Sequence, residues 1–163
     1  MEKKERFITA IKSNEGLVYK IATIYTNSIE DRDDLVQEII YQLWRSFDSF
    51  DQRSSLSTWM YRVALNVAIY HLKKARKKIS TVALEGQDID LPETADNGLE
   101  EKLKFFRQQV DNLGLLDKAI VMLYLENKSH EEIAQITGIS TSNVGTKISR
   151  IKEKLKKQIT KHL

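Results

Sequence analysis

Apolar positions along this chain recur at helical intervals, and those intervals predict helices almost throughout. Phe7, Ile8 and Ile11 open the pattern, and Leu17, Val18, Ile21 and Ile24 continue it. Leu35, Ile39 and Leu43 then recur every four residues with Val36, Ile40 and Phe47 beside them, a stripe wide enough to pack on two sides. Glu30, Asp31, Asp33 and Asp34 stand at the head of that stripe, where carboxylates suit the positive end of a helix dipole. Serines and aspartates from Ser46 to Ser57 interrupt the period and predict a loop. From Thr58 to Lys78 the period resumes, with Trp59, Val63 and Val67 on one line and Met60, Ala64 and Ala68 on the next. The apolar face stops at Leu72, and the helix runs on as Lys73, Lys74, Ala75, Arg76, Lys77 and Lys78. A helix that begins buried and ends basic presents its end to something negatively charged.

Residues Ile79 to Leu99 carry Gly86, Pro92, Gly98 and a run of acids. Low hydrophobicity with like charge cannot cover the entropy of ordering, so this stretch reads as a flexible acidic linker. A second helical segment follows to the end of the chain. Within it Ser129 and Glu132 have the spacing of a capping box. Ala134 is small enough for a close helix crossing, and Gly138 can take the left-handed conformation that ends a helix tightly. Ile139 fills the corner, Ser140 or Thr141 can cap the next helix, and Val144, Ile148 and Ile151 give that helix a buried side. This is helix-turn-helix spacing. Its second helix exposes Ser142, Asn143, Thr146, Lys147 and Arg150, side chains able to bond base edges and phosphates. An ordinary αα-hairpin uses the same turn, and the basic exposure favours DNA.

Composition narrows the class further. The 163 residues include six glycines and one proline, too few breakers for a sandwich or barrel, so the fold class is all-α. The absence of cysteine excludes disulfides, thiolate nucleophiles and Cys-based zinc sites. His130, lone and near a helix start, reads as a surface residue, so neither a metal nor a cofactor is expected. The charged start, Met1 to Arg6, leads into no long apolar stretch and predicts a soluble, cytoplasmic chain without membrane insertion.

The net charge of +3 is small, and its distribution is more informative. No acid occurs from Gln52 to Leu84 and no base from Val82 to Glu101. From Asn143 onward seven Lys and Arg face Glu153 alone. Two basic patches around an acidic stretch suggest two contacts with nucleic acid, and charge alone fits two solvated helix faces equally well.

Three segments together resemble the RNA polymerase sigma factors of the sigma-70 family, in the extracytoplasmic-function group. Asp33-Asp34-Leu35-Val36-Gln37-Glu38, continuing to Leu43-Trp44-Arg45, is similar to the polymerase-binding helix of region two. Leu56 to Ala68 with its basic end is similar to the segment that reads the −10 element. Leu116 to Lys157 is similar to region four, which reads the −35 element. The blocks occur in the family's order, and no counterpart of region one or of the larger middle domain of housekeeping factors is present.

The resemblance implies two small helical domains, residues 1–79 and 100–163, joined by the linker 80–99. It implies as partners core RNA polymerase through the β′ coiled coil, promoter DNA and an anti-sigma factor, with no catalysis of its own. Carried over residue by residue, Asp34, Gln37, Glu38, Tyr41, Trp44 and Arg45 face polymerase. Ser54 and Ser55, in the loop with Asp51, and Asn66, Tyr70, His71, Lys73, Lys74 and Arg76 meet the −10 element. Ser142, Asn143, Thr146, Lys147 and Arg150 meet the −35 element. Trp59 and Tyr61 could stack on bases, but at helical spacing with Val63 they read as core. Gly145 stands where many members carry a basic residue, and Tyr70 where an acidic or polar one is common.

Other classes fit less of the chain. A helix-turn-helix regulator acting without polymerase leaves the Asp33-to-Arg45 helix and the mid-chain basic helix idle, and no dimerisation helix remains for a symmetric operator. A regulatory adaptor would bind a partner protein and ignore promoter DNA, and nothing in the sequence asks for one. An enzyme needs convergent acids, bases or nucleophiles, and the sequence offers no such set.

Overall fold

The structure, a computed structural model, describes residues 2–81 and 98–162, with side chains over 2–75 and 98–161. Among the described residues every regular element is helical: α1 (Lys3–Ser13), α2 (Glu15–Ile24), α3 (Ile29–Ser46), α4 (Leu56–Thr81), α5 (Gly98–Asp111), α6 (Leu115–Leu125), α7 (His130–Thr137) and α8 (Thr141–His162), with a 3₁₀ turn at Phe47–Ser49. The chain falls into two compact units, residues 1–78 and 79–163. The all-α class read from the sequence holds. The linker expected over 80–99 lies outside the described residues for 82–97, while α4 continues to Thr81 and α5 starts at Gly98.

In the first unit α2 packs against α3. Leu35, Ile39 and Leu43 are buried on α3 against Leu17, Val18 and Ile21 of the α2 side, with Met60, Ala64 and Ala68 buried on α4. Burying each of the Leu, Ile, Val and Met side chains contributes about 1.5–3 kcal/mol. The N-terminus of α3 is closed by Ser28, whose side chain accepts from the Asp31 N–H at 3.1 Å. Helix α3 persists through Ser46, and the predicted loop shrinks because Phe47 and Phe50 are drawn into an aromatic chain. Phe7 meets Trp44 and Phe47 at 5.1 and 5.5 Å between ring centres, and Trp59 meets Phe47 and Phe50 at 6.2 and 5.3 Å. The first three pairs are edge-on and the Phe50–Trp59 pair is tilted at 45°, and edge-on rings at these separations attract beyond their burial. Tyr61 is buried, and Trp59 is half-buried within this aromatic chain.

In the second unit Ile120 and Leu123 of α6, Ile133 of α7 and Val144 of α8 form a fully buried centre. Ser129 caps α7, accepting from the Glu132 N–H at 3.1 Å while its hydroxyl donates to the Glu132 carboxylate at 3.3 Å. Gly138 ends α7 at φ +83°, its N–H bonded to the Ala134 carbonyl at 2.9 Å. Ser140, rather than Thr141, caps α8, accepting from the Asn143 N–H at 3.1 Å. Ile139 is half-buried at the corner.

Candidate functional site

The first surface is the outer face of α3. Asp34, the adjacent Gln37 and Glu38, Tyr41 and Arg45 are all exposed, and three- and four-residue spacings link them into one stripe opposite Leu35, Ile39 and Leu43. Tyr41 is 54% exposed, and the Arg45 guanidinium lies 5.9 Å from its ring centre. Gln42 reaches back to donate to Glu38 at 3.4 Å. Trp44 does not share the stripe. It is half-buried, with Phe7 at its edge and the Lys3 ammonium 4.1 Å from its ring centre, while Lys3 is also paired to Asp48 at 3.0 Å. Helix α1 thus holds Trp44 as part of the fold.

The second surface is on α4. Asn66, Tyr70 and Lys74 recur every four residues and are exposed, Tyr70 by 70%, with His71 and Lys73 exposed at the flanks. Arg62, one turn earlier and exposed, lengthens the line. A groove of about 400 Å³ runs between this helix and α3, lined by Glu38, Gln42, Asn66, Tyr70, His71 and Lys74. The side chain of Arg76 lies outside the described residues.

The loop before α4 is built tightly. Ser55 caps the helix, accepting from the Thr58 N–H at 3.1 Å and donating its own hydrogen to the Thr58 hydroxyl at 2.9 Å. Gln52 sits at φ +63°, and both carboxylate oxygens of Asp51 hold Arg53, one through its N–H at 3.1 Å and one through Nε at 2.9 Å. Ser54 is half-buried within this turn, whereas the Ser55 hydroxyl is engaged in the cap. A left-handed non-glycine residue is uncommon and had no signature in the sequence.

The third surface is the outward side of α8. Ser142, Asn143, Thr146 and Arg150 are exposed, opposite the buried Val144, Ile148 and Ile151. Ser149, which the sequence reading passed over, is exposed on the same side, three residues after Thr146. The Thr146 hydroxyl donates to the Ser142 carbonyl at 3.2 Å. Lys147 stands apart from the others: its ammonium is bonded to Asp117 of α6 at 3.1 Å. Gly145 faces His130, and a Cβ there would lie 3.6 Å from the imidazole Nδ1, so that ring fills the room in front of it.

Comparison with known proteins gives these three surfaces a common context. Residues 10–78 match the model of sigma-70 region 2, and residues 106–155 match that of sigma-70 region 4. The chain is similar to the RNA polymerase sigma factor SigV of Bacillus subtilis, with 28% identity over 161 residues covering 97% of this chain and 93% of that protein. It is 30% identical over 156 residues to the ECF RNA polymerase sigma-E factor of Haemophilus influenzae, covering 86% of this chain and 82% of that one. Its fold is similar to that of the sigma factor RpoE solved in complex with the anti-sigma factor NepR from Bartonella quintana, with a TM-score of 0.71 at 18% identity and 96% of both chains covered.

Proposed function

This chain belongs to the extracytoplasmic-function group of the sigma-70 family, and from that premise we propose how it directs transcription initiation. The α3 stripe of Asp34, Gln37, Glu38, Tyr41 and Arg45 docks on the β′ coiled coil of core RNA polymerase. An acidic and amide-bearing face suits a basic partner, and Tyr41 supplies the exposed aromatic anchor that Trp44, held by α1, does not. Asn66, Tyr70, His71, Lys73, Lys74 and Arg76 of α4 meet the −10 element. The loop at Ser54, shaped by the Ser55 cap, receives an unstacked base, with positive charge along α4 holding the backbone. Ser142, Asn143, Thr146, Ser149 and Arg150 of α8 enter the major groove of the −35 element.

The observation that carries this reading is the α3 stripe. Five exposed polar or amphipathic side chains are aligned on a helix whose fold needs only its opposite face. A regulator acting without polymerase has no use for it. The protein contributes no chemistry in this reading, because the polymerase makes the bonds. No helix among the described residues is long and apolar enough to cross a membrane, and the proposed site of action is the cytoplasm with its polymerase. An anti-sigma factor is a further proposed partner, by analogy with the complex of RpoE and NepR.

The test is the double variant Asp34→Lys, Glu38→Lys. Surface charge changes of this kind usually cost little stability, within about 0.5 kcal/mol each, so its circular dichroism and melting temperature should stay near native. Like charges across the interface cost several kcal/mol, so co-purification with core polymerase should be lost. A folded variant that still co-purifies and initiates would overturn the assignment of α3.

A further inference from the structure

Asp117 stands in the first turn of α6, and its Oδ1 accepts a hydrogen bond from the Lys147 Nζ of α8 at 3.1 Å. The two side chains are 30% and 36% exposed, so the pair is neither sealed in the core nor fully open to solvent. Salt screens such a pair less than a fully exposed one. Its neighbour Lys118 is buried and pairs with Asp111 of α5 at 3.2 Å. One dipeptide therefore ties α6 to α5 and to α8 with opposite charges. On α8, Lys147 lies between the buried line of Val144, Ile148 and Ile151 and the outward line of Ser142, Thr146 and Ser149. When a helix lies in a major groove its outermost side meets base edges and its flanks approach the sugar-phosphate walls. Lys147 is such a flank residue, and its ammonium already has an anionic oxygen.

We infer that Asp117 is a specificity-determining residue, an internal stand-in for a DNA phosphate that occupies Lys147. The inference rests on the reading of α8 as the helix that enters DNA. A lysine that reaches DNA uncompensated displaces a counterion from the duplex and adds affinity for every sequence alike. A lysine already held by a carboxylate gains little by the exchange, since one anionic oxygen replaces another and the released carboxylate would face the DNA. Asp117 thereby lowers sequence-independent binding and leaves discrimination to Ser142, Asn143, Thr146, Ser149 and Arg150. The sequence alone, which offers Lys147 as a DNA contact, gives no hint of this partner in another helix.

The test measures binding of the full-length chain to a labelled duplex of random sequence between about 50 and about 200 mM salt. Asp117→Asn should bind several-fold tighter at the low end and show a salt slope steeper by about 0.9, which is about 3.5-fold more affinity lost across that range. Lys147→Ala alone should leave the slope at its native value, and adding it to Asp117→Asn should abolish the gain. Arg150→Ala serves as the control for α8 and should reduce both affinity and slope. A folding defect reduces affinity at every salt concentration and cannot imitate the gain. A slope lowered by about 0.9 in Lys147→Ala alone would overturn the inference. So would an Asp117→Asn slope equal to native while Arg150→Ala is impaired. If Arg150→Ala and every other variant bind like native, the assignment of α8 to DNA falls, and the role of Asp117 falls with it.

Discussion

Gly138 and Gly145 show how one residue type meets opposite demands in neighbouring helices. Gly138 has open space around its Cα but sits at φ +83°, where a Cβ is strained whatever the room. Gly138→Ala should destabilise the C-terminal unit by roughly 1–2 kcal/mol. Gly145 lies inside α8 without a left-handed φ, and an added Cβ would make an ordinary 3.6 Å contact with His130. Gly145→Ala should therefore stabilise by about 0.8–1 kcal/mol. Thermal melts check both, at about 4–8 °C for each kcal/mol in a unit of this size. Equal shifts in the same direction would contradict the turn geometry. The Gly138 signal was legible in the sequence because a small residue, a glycine and an aliphatic fall at fixed offsets. The left-handed Gln52 was not legible, since it follows from the Asp51–Arg53 turn rather than from residue type.

At the scale of elements, α3 and α8 each separate a buried stripe from an exposed one, and periodicity alone sorted most of their residues. Leu35, Ile39 and Leu43 went inward by counting threes and fours, while Asp34, Gln37, Glu38, Tyr41 and Arg45, named by the family resemblance, lie outward. The same counting reaches Ser149, which carries no charge to draw notice. Contacts between helices distant in sequence were beyond such counting. Trp44 is held by Lys3 and Phe7 of α1, and Lys147 by Asp117, thirty positions earlier. Within α8, Arg150 is an exposed cation on the outward side, beside Thr146 and Ser149. If it reads a base, Arg150→Ala should weaken use of one promoter family by roughly 1–3 kcal/mol and relax a single position of the −35 element. If it meets a phosphate, all sequences should weaken together. Reporter transcription across −35 variants separates the two outcomes, and unchanged selection would mean that another element reads the −35.

For the whole molecule, the proposed contact of the two units with two DNA elements requires a joining chain of sufficient reach. The sixteen residues between Thr81 and Gly98 span at most about 55 Å when fully extended. The family's two promoter elements lie roughly 50–70 Å apart along the duplex, and the breadth of each unit shortens the distance to be bridged. Replacing Glu85, Asp88, Asp90, Glu93 and Asp96 by Ser and Asn should be tolerated, whereas deleting residues 86–93 should abolish promoter use. Normal transcription from the shortened chain would contradict two-point recognition.

The most direct measurement is run-off transcription with core polymerase on a library of promoter fragments. Discrete start sites should appear only when the native chain is added. They should share two conserved elements at a fixed spacing and vanish with the Asp34→Lys, Glu38→Lys variant. A chain that footprints DNA by itself, yet produces no polymerase-dependent starts, would contradict the account.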